Sequence, residues 1–139
     1  MAKRNKIKTL ENKCSKLWKE ICFLRDGKMC QVEKHFPFIK ITHSSILQVD
    51  HCVTRANKHL FYCPDNGTVV CSACNGAKHW DNKSVSRAID EIVKRREGRA
   101  RFEAMIKLDQ TLGPCLGWKK IWWLEEQLAY LERCRDDLR

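Results

Sequence analysis

Apolar positions recur with helical spacing at three places along the chain. Leu10, Cys14, Leu17, Ile21 and Leu24 alternate steps of four and three, which places them on one stripe of a helix, widened by Trp18 and Cys22. "RDG" at Arg25, Asp26 and Gly27 ends that stripe, with Gly27 as a left-handed C-cap. Val85, Ala88, Ile89, Ile92 and Val93 follow the i, i+3, i+4, i+7, i+8 pattern of an amphipathic helix, with Ser84 as candidate N-cap and Gly98 as candidate C-cap. Residues 99–112 read as a further helix that Gly113-Pro114 stops. The last helix is expected over 118–135, where Ile121, Leu124, Leu128 and Leu131 form a seam spaced three, four, three.

Between these stripes the pattern changes. Residues 30–45 have no helical period and read as loop with short extended pieces. Residues 46–49 and 68–71 read as two short strands, some 16 residues apart, with a helix starting near Asn75. The expected fold class is α+β: a small hairpin and metal module flanked by helices. Three segments are expected: a basic arm and helix over 1–27, a compact module over 28–83, and C-terminal helices over 84–139.

Charge narrows the partners. Twenty-seven Lys and Arg against 17 Asp and Glu give a formal charge of +10 over 139 residues. Such an excess favours a polyanion through counterion release. The densest basic runs are "KRNKIK" and "KRREGRAR". The seam of the last helix is expected to pack on the first stripe within one chain, leaving a monomer, or to pair with a second copy as a homodimer. No apolar run is long enough to span a bilayer, and no apolar segment follows the basic start "MAKRNKIK". The expectation is a chain with no membrane partner, in the cytosol.

Nine cysteines in a cytosolic chain read as reduced thiols, some of them metal ligands. "CSAC", Cys71 to Cys74, turns the chain after an expected strand, and two thiolates at that spacing suit zinc. A closed structural zinc site needs two more ligands. Cys30 and His35 are the leading candidates, with Cys63, Cys52 and His43 as competitors. Cys14, Cys22, Cys115 and Cys134 fall in helical patterns and are assigned to packing.

Asp50-His51 follows the first strand. On an extended chain adjacent side chains diverge, so the carboxylate can hold a hard divalent ion while the imidazole faces water and substrate. Asn66 in "PDNG" and Asn75 after the knuckle each have ordinary uses, in a turn and in a helix cap. It is their common order with Asp50-His51, Cys-x-x-Cys and Lys78 that asks for an explanation.

"VDH…DNGTVVCSACNGAK" resembles the signature of HNH endonucleases, the ββα-metal fold, and its "CxxCN" junction resembles phage nucleases of the endonuclease VII type. The resemblance covers about a third of the chain. It implies a metal-dependent DNA endonuclease, a phosphodiester hydrolase of phage DNA processing or recombination in a phage or bacterial host. By position, His51 would be the general base and Asp50 a ligand of the catalytic Mg²⁺ or Mn²⁺. Asn75 would be its second ligand, with His79, one helical turn on, as substitute. Asn66 would hold the His51 loop, and a structural Zn²⁺ would staple the hairpin. Arg55, Lys58 and Lys78 are the candidate DNA-phosphate contacts. The family's usual Cys-x-x-Cys before the hairpin is absent, and Cys30 with His35 stands in its place. The competing expectation is a non-catalytic, zinc-stabilised nucleic-acid-binding module, which has no need of Asp50-His51. A third is a Trp-rich protein adaptor.

Overall fold

Two short strands, β1 (Leu47–His51) and β2 (Gly67–Cys71), pair antiparallel from Leu47 opposite Cys71 to His51 opposite Gly67. In this computed structural model, which describes residues 2–138, seven α-helices surround that pair. They are α1 (Ala2–Asp26), α2 (Gln31–His35), α3 (Ser72–His79), α4 (Lys83–Glu97), α5 (Arg99–Ile106), α6 (Leu108–Leu112) and α7 (Ile121–Leu138). The architecture is a small α+β fold, as the hydrophobic pattern predicts.

All of β2 is buried. Successive strand side chains point to opposite faces, so its two central valines serve two different cores. Val70 packs with Val32 and with Val85, Ile89 and Val93 from the α4 stripe. Val69 packs with Leu17, Trp18 and Ile21 of α1 and with Leu124 and Leu131 of α7. The seam of the last helix therefore lies against the first helix within the chain, and Cys14 Sγ even donates to the Leu124 carbonyl at 3.5 Å. At the edge of β2, α1 comes so close that a Cβ on Gly67 would sit 2.5 Å from Cys22 Sγ and 2.8 Å from Trp18 Cζ2. Only glycine permits that approach.

Several element boundaries differ from the sequence expectation, each for a local reason. α3 starts at Ser72 rather than near Asn75, because the Cys71 sulfur accepts from Cys74 N and caps the first turn. α4 is capped by Asn82, whose Oδ1 accepts from Val85 N at 3.2 Å, and not by Ser84. α2 has five residues, too few to show a period. The helix expected over 99–112 breaks at Lys107 into α5 and α6. α7 starts at Ile121 because Lys119 has a left-handed φ of 61°, which a helix cannot include. Gly27, with φ 80°, caps α1 as expected, its N–H bonding Phe23 O at 2.8 Å.

Candidate metal centre and adjoining cleft

Cys30, His43, Cys71 and Cys74 present four ligand atoms within 4.8 Å of one another. Cys30 Sγ lies 3.8 Å from Cys74 Sγ, and His43 Nδ1 lies 3.4 Å from both Cys71 Sγ and Cys74 Sγ. A tetrahedral zinc with ordinary Zn–S and Zn–N bonds spaces its ligands about 3.8 Å apart for S···S and about 3.6 Å for S···N. These three edges match and the remaining ones stay within 4.8 Å, so this Cys3His cluster could hold a zinc-like ion. Burial opposes ionisation of Cys71, but N–H groups of Ser44 and Cys74 and the His43 ring outweigh it and bring the thiol down to about 6. A thiolate at neutral pH is what zinc requires. Cys74 shifts the other way, pushed up by burial and by the neighbouring Cys30 and Cys71 sulfurs. That mutual repulsion is what a bound cation would relieve.

The fourth ligand position corrects the sequence reading. His35 sits exposed on α2, its Nε2 3.2 Å from Gln31 Oε1, outside the cluster. His43, ranked behind it, reaches the thiols from the loop before β1. Both histidines follow Cys30 in a stretch without periodicity, so only the path of the loop decides between them. Cys52 and Cys63 also stay apart. Cys52 Sγ donates to Asp90 Oδ1 at 3.3 Å, and Cys63 lies beside Arg101. All nine cysteines are free thiols, and Cys14 and Cys22 are buried between helices.

The knuckle ends β2 and begins α3, so it fixes what α3 carries into the next site. A cleft of about 500 Å³ opens between the end of β1 and α3, walled by Asp50, His51, Arg55, Asn75, Lys78 and His79. The strand alternation sends the two β1 residues in different directions. Asp50 points to α3, as does Gln48 two residues earlier. His51 points to α1, where its ring stacks on Trp18 with centroids 4.4 Å apart and planes 18° from parallel.

His51 Nε2 lies 2.9 Å from the carbonyl oxygen of Phe61. A carbonyl only accepts, so Nε2 carries the proton and Nδ1 keeps the ring's free lone pair. Burial pushes the imidazole down to about 4, partly opposed by the Phe61 carbonyl and assisted by Arg55, Lys78 and Lys58. His51 is therefore neutral at pH 7. Phe61 is placed by the same loop, residues 52–66, that Asn66 ties together. The Asn66 side chain is fully buried, accepts from Val53 N at 2.6 Å, and donates to Val53 O at 3.0 Å and Leu60 O at 3.3 Å.

Asn75 donates through Nδ2 to Gln48 Oε1 at 2.7 Å, while its Oδ1 is buried without a hydrogen-bond partner among the described residues. A buried amide oxygen without a donor is costly unless something else binds it. Asp50 is 4% exposed. Burial pushes its carboxyl up, while Lys78, His79 and Arg55 pull it down, with a net upward result. A carboxylate and an unpartnered amide oxygen on one cleft are donors of the kind that a hard divalent ion takes, with water filling the rest.

The three expected phosphate contacts separate. Arg55 is exposed at the rim of the cleft. Lys58 lies over the rings of Phe61 and Trp118, at 5.1 and 4.6 Å from their centroids. Lys78 is not a surface cation: its Nζ donates to Asp50 Oδ2 at 2.6 Å and to His51 O at 2.8 Å. His79 is exposed on the last turn of α3 and lines the cleft. Sequence reasoning missed Trp18 and Gln48 as neighbours of this site. Gln48 had a signal, since it shares a strand face with Asp50. Trp18 had none beyond its helical stripe.

Compared with protein-family models, curated proteins and solved structures, the chain matches none. No helix among the described residues is long and apolar enough to cross a membrane.

Proposed function

We propose that the chain is a metal-dependent endonuclease of the HNH type, hydrolysing DNA phosphodiester bonds, with a zinc-stapled ββα module as its catalytic unit. The observation that carries this reading is the state of His51. It is buried, neutral, tautomerically fixed by the Phe61 carbonyl, and set at a cleft shared with Asp50 and the unpartnered Asn75 Oδ1. A merely structural histidine needs no such neighbours.

In this mechanism His51 Nδ1 accepts a proton from the attacking water as its oxygen approaches phosphorus. Trp18 and Phe61 hold the ring's plane, so the lone pair keeps one direction. Asp50 and Asn75 would hold Mg²⁺ or Mn²⁺, which when bound offsets the charge developing on the phosphate and the leaving oxygen. Arg55 and His79 at the rim contact the flanking phosphates, and the +10 chain charge draws in the polyanion. Asn66 acts one step back, as a positioning residue that fixes the loop carrying Phe61. The zinc cluster stays outside the chemistry and fixes the start of α3, hence Asn75. Phage DNA processing or recombination is the setting this reading favours.

One observation favours a second reading. Lys78 already neutralises Asp50, as a structural ion pair in a non-catalytic, zinc-stabilised DNA-binding module would. Supercoiled plasmid incubated with the purified protein and Mg²⁺ or Mn²⁺ separates the two. Nicking that stops with EDTA, and returns when Mg²⁺ is added back to protein of unchanged zinc content, supports the nuclease. A gel shift without cleavage on supercoiled or branched DNA would leave only the binding module.

A further inference from the structure

Lys78 reaches the floor of the cleft from the last turn of α3, and its side chain is only 15% exposed. Its ammonium meets three oxygens: Asp50 Oδ2 at 2.6 Å, His51 O at 2.8 Å and, more distantly, Cys52 O at 3.5 Å. One carboxylate and two carbonyls around a cation are the donor types that a hard metal ion prefers. Asp50 is also the sole carboxylate among the described residues lining the cleft. The group that would bind a divalent ion most strongly is thus held by a cation belonging to the chain.

Two cations cannot share that carboxylate at no cost, because the ammonium repels an incoming divalent ion across a poorly screened, buried contact. The lysine stem has four rotatable carbons, so Nζ can leave Asp50 without any change in the helix. We propose that Lys78 is a built-in competitor for the divalent cation at Asp50: it occupies the carboxylate in the metal-free protein and swings away when the ion binds. This inference rests on the metal role of Asp50 proposed above and adds the regulation of that site. It makes the metal affinity of the free protein weak by construction and identifies the residue that sets it.

The test is Mn²⁺ binding, read from the loss of the free-ion EPR signal, on wild type, Lys78→Gln and Asp50→Asn with matched zinc content. Lys78→Gln is expected to bind Mn²⁺ at least about tenfold tighter than wild type, and Asp50→Asn to abolish binding at the cleft. Binding that depends on Asp50 but is equal or weaker in folded Lys78→Gln overturns the competitor role alone. Binding that Asp50→Asn leaves unchanged, or none at all, overturns the metal role of Asp50 and the competitor with it. Because Lys78→Gln leaves a buried carboxylate without its partner and could fail to fold, wild type is also footprinted with an amine-acetylating reagent. Lys78 should be protected without metal and become acetylated at saturating Mn²⁺. Persistent protection while Mn²⁺ is bound contradicts the proposal.

Discussion

His51 lies flat on Trp18, 4.4 Å from ring centre to ring centre, although 33 positions separate them in the chain. That contact joins the first helix to the candidate site. Trp18 is 2% exposed, and its Nε1 donates to Cys63 O at 2.9 Å. It therefore braces both the imidazole and the loop that carries Phe61. Trp18→Ala is expected to cost about 3–5 kcal/mol, as large aromatic truncations in cores do. Trp18→Phe keeps an apolar ring beside His51 and loses the hydrogen bond, for a smaller loss. Urea unfolding of the two variants measures the difference. Equal losses would mean that the ring contributes little.

The Cys3His cluster, read as a zinc site, predicts a contrast between two histidines. His43→Ala and Cys71→Ser should each lose stoichiometric zinc, whereas His35→Ala should keep it. Metal analysis of the purified variants reads this directly. Loss of zinc from His35→Ala, with retention by His43→Ala, would reverse the ligand assignment. Because metal binding and folding are coupled in such small sites, the zinc-free variants should also unfold at lower temperature.

Burial of His51 gives a signed pH dependence. The folded ring takes a proton only near pH 4, while an unfolded histidine takes one near 6.5. Between those values the unfolded chain binds more protons. The contribution is complete above pH 6.5, drains away as pH falls to 4, and amounts to about 3 kcal/mol at most. Protonation of the depressed Cys71 thiol acts in the same direction, so the comparison must be internal. Wild type should lose more stability than His51→Asn between pH 6.5 and 4, measured by denaturant titration at each pH. Parallel curves would contradict a buried neutral histidine.

Asn66 makes three hydrogen bonds from a fully buried side chain. Asn66→Ala leaves Val53 N–H and Val53 O without partners, at about 2–4 kcal/mol in total, while Leu60 O keeps its bond from Cys63 N. Amide exchange of residues 52–66 should accelerate more than that of α4. Uniform acceleration along the chain would indicate global destabilisation instead of release of the loop.

The parts of this fold legible in the sequence are those with short-range periodicity. The α1 and α4 stripes, the two strands and the Cys71–Cys74 knuckle follow from spacings of two, three and four residues. What was not legible depends on how loops close. His43 and His35 differ only in where residues 36–46 lead, and no local pattern encodes that path. Lys78 reads as one more cation of a basic chain until the packing of α3 on β1 sets its ammonium against Asp50. Asn75 stood out as a candidate only through its order with the knuckle. Its unpartnered oxygen is a property of the packed structure alone.

The most direct measurement is the rate of plasmid nicking by His51→Ala relative to wild type, with Mn²⁺ present, zinc content matched and DNA binding equal by gel shift. A general base contributes roughly 10²–10⁴-fold, so a loss of at least about 10²-fold with binding retained is expected. A variant that nicks as fast as wild type, or a wild-type protein that binds DNA and never cuts it, would contradict the assignment of His51 as the base.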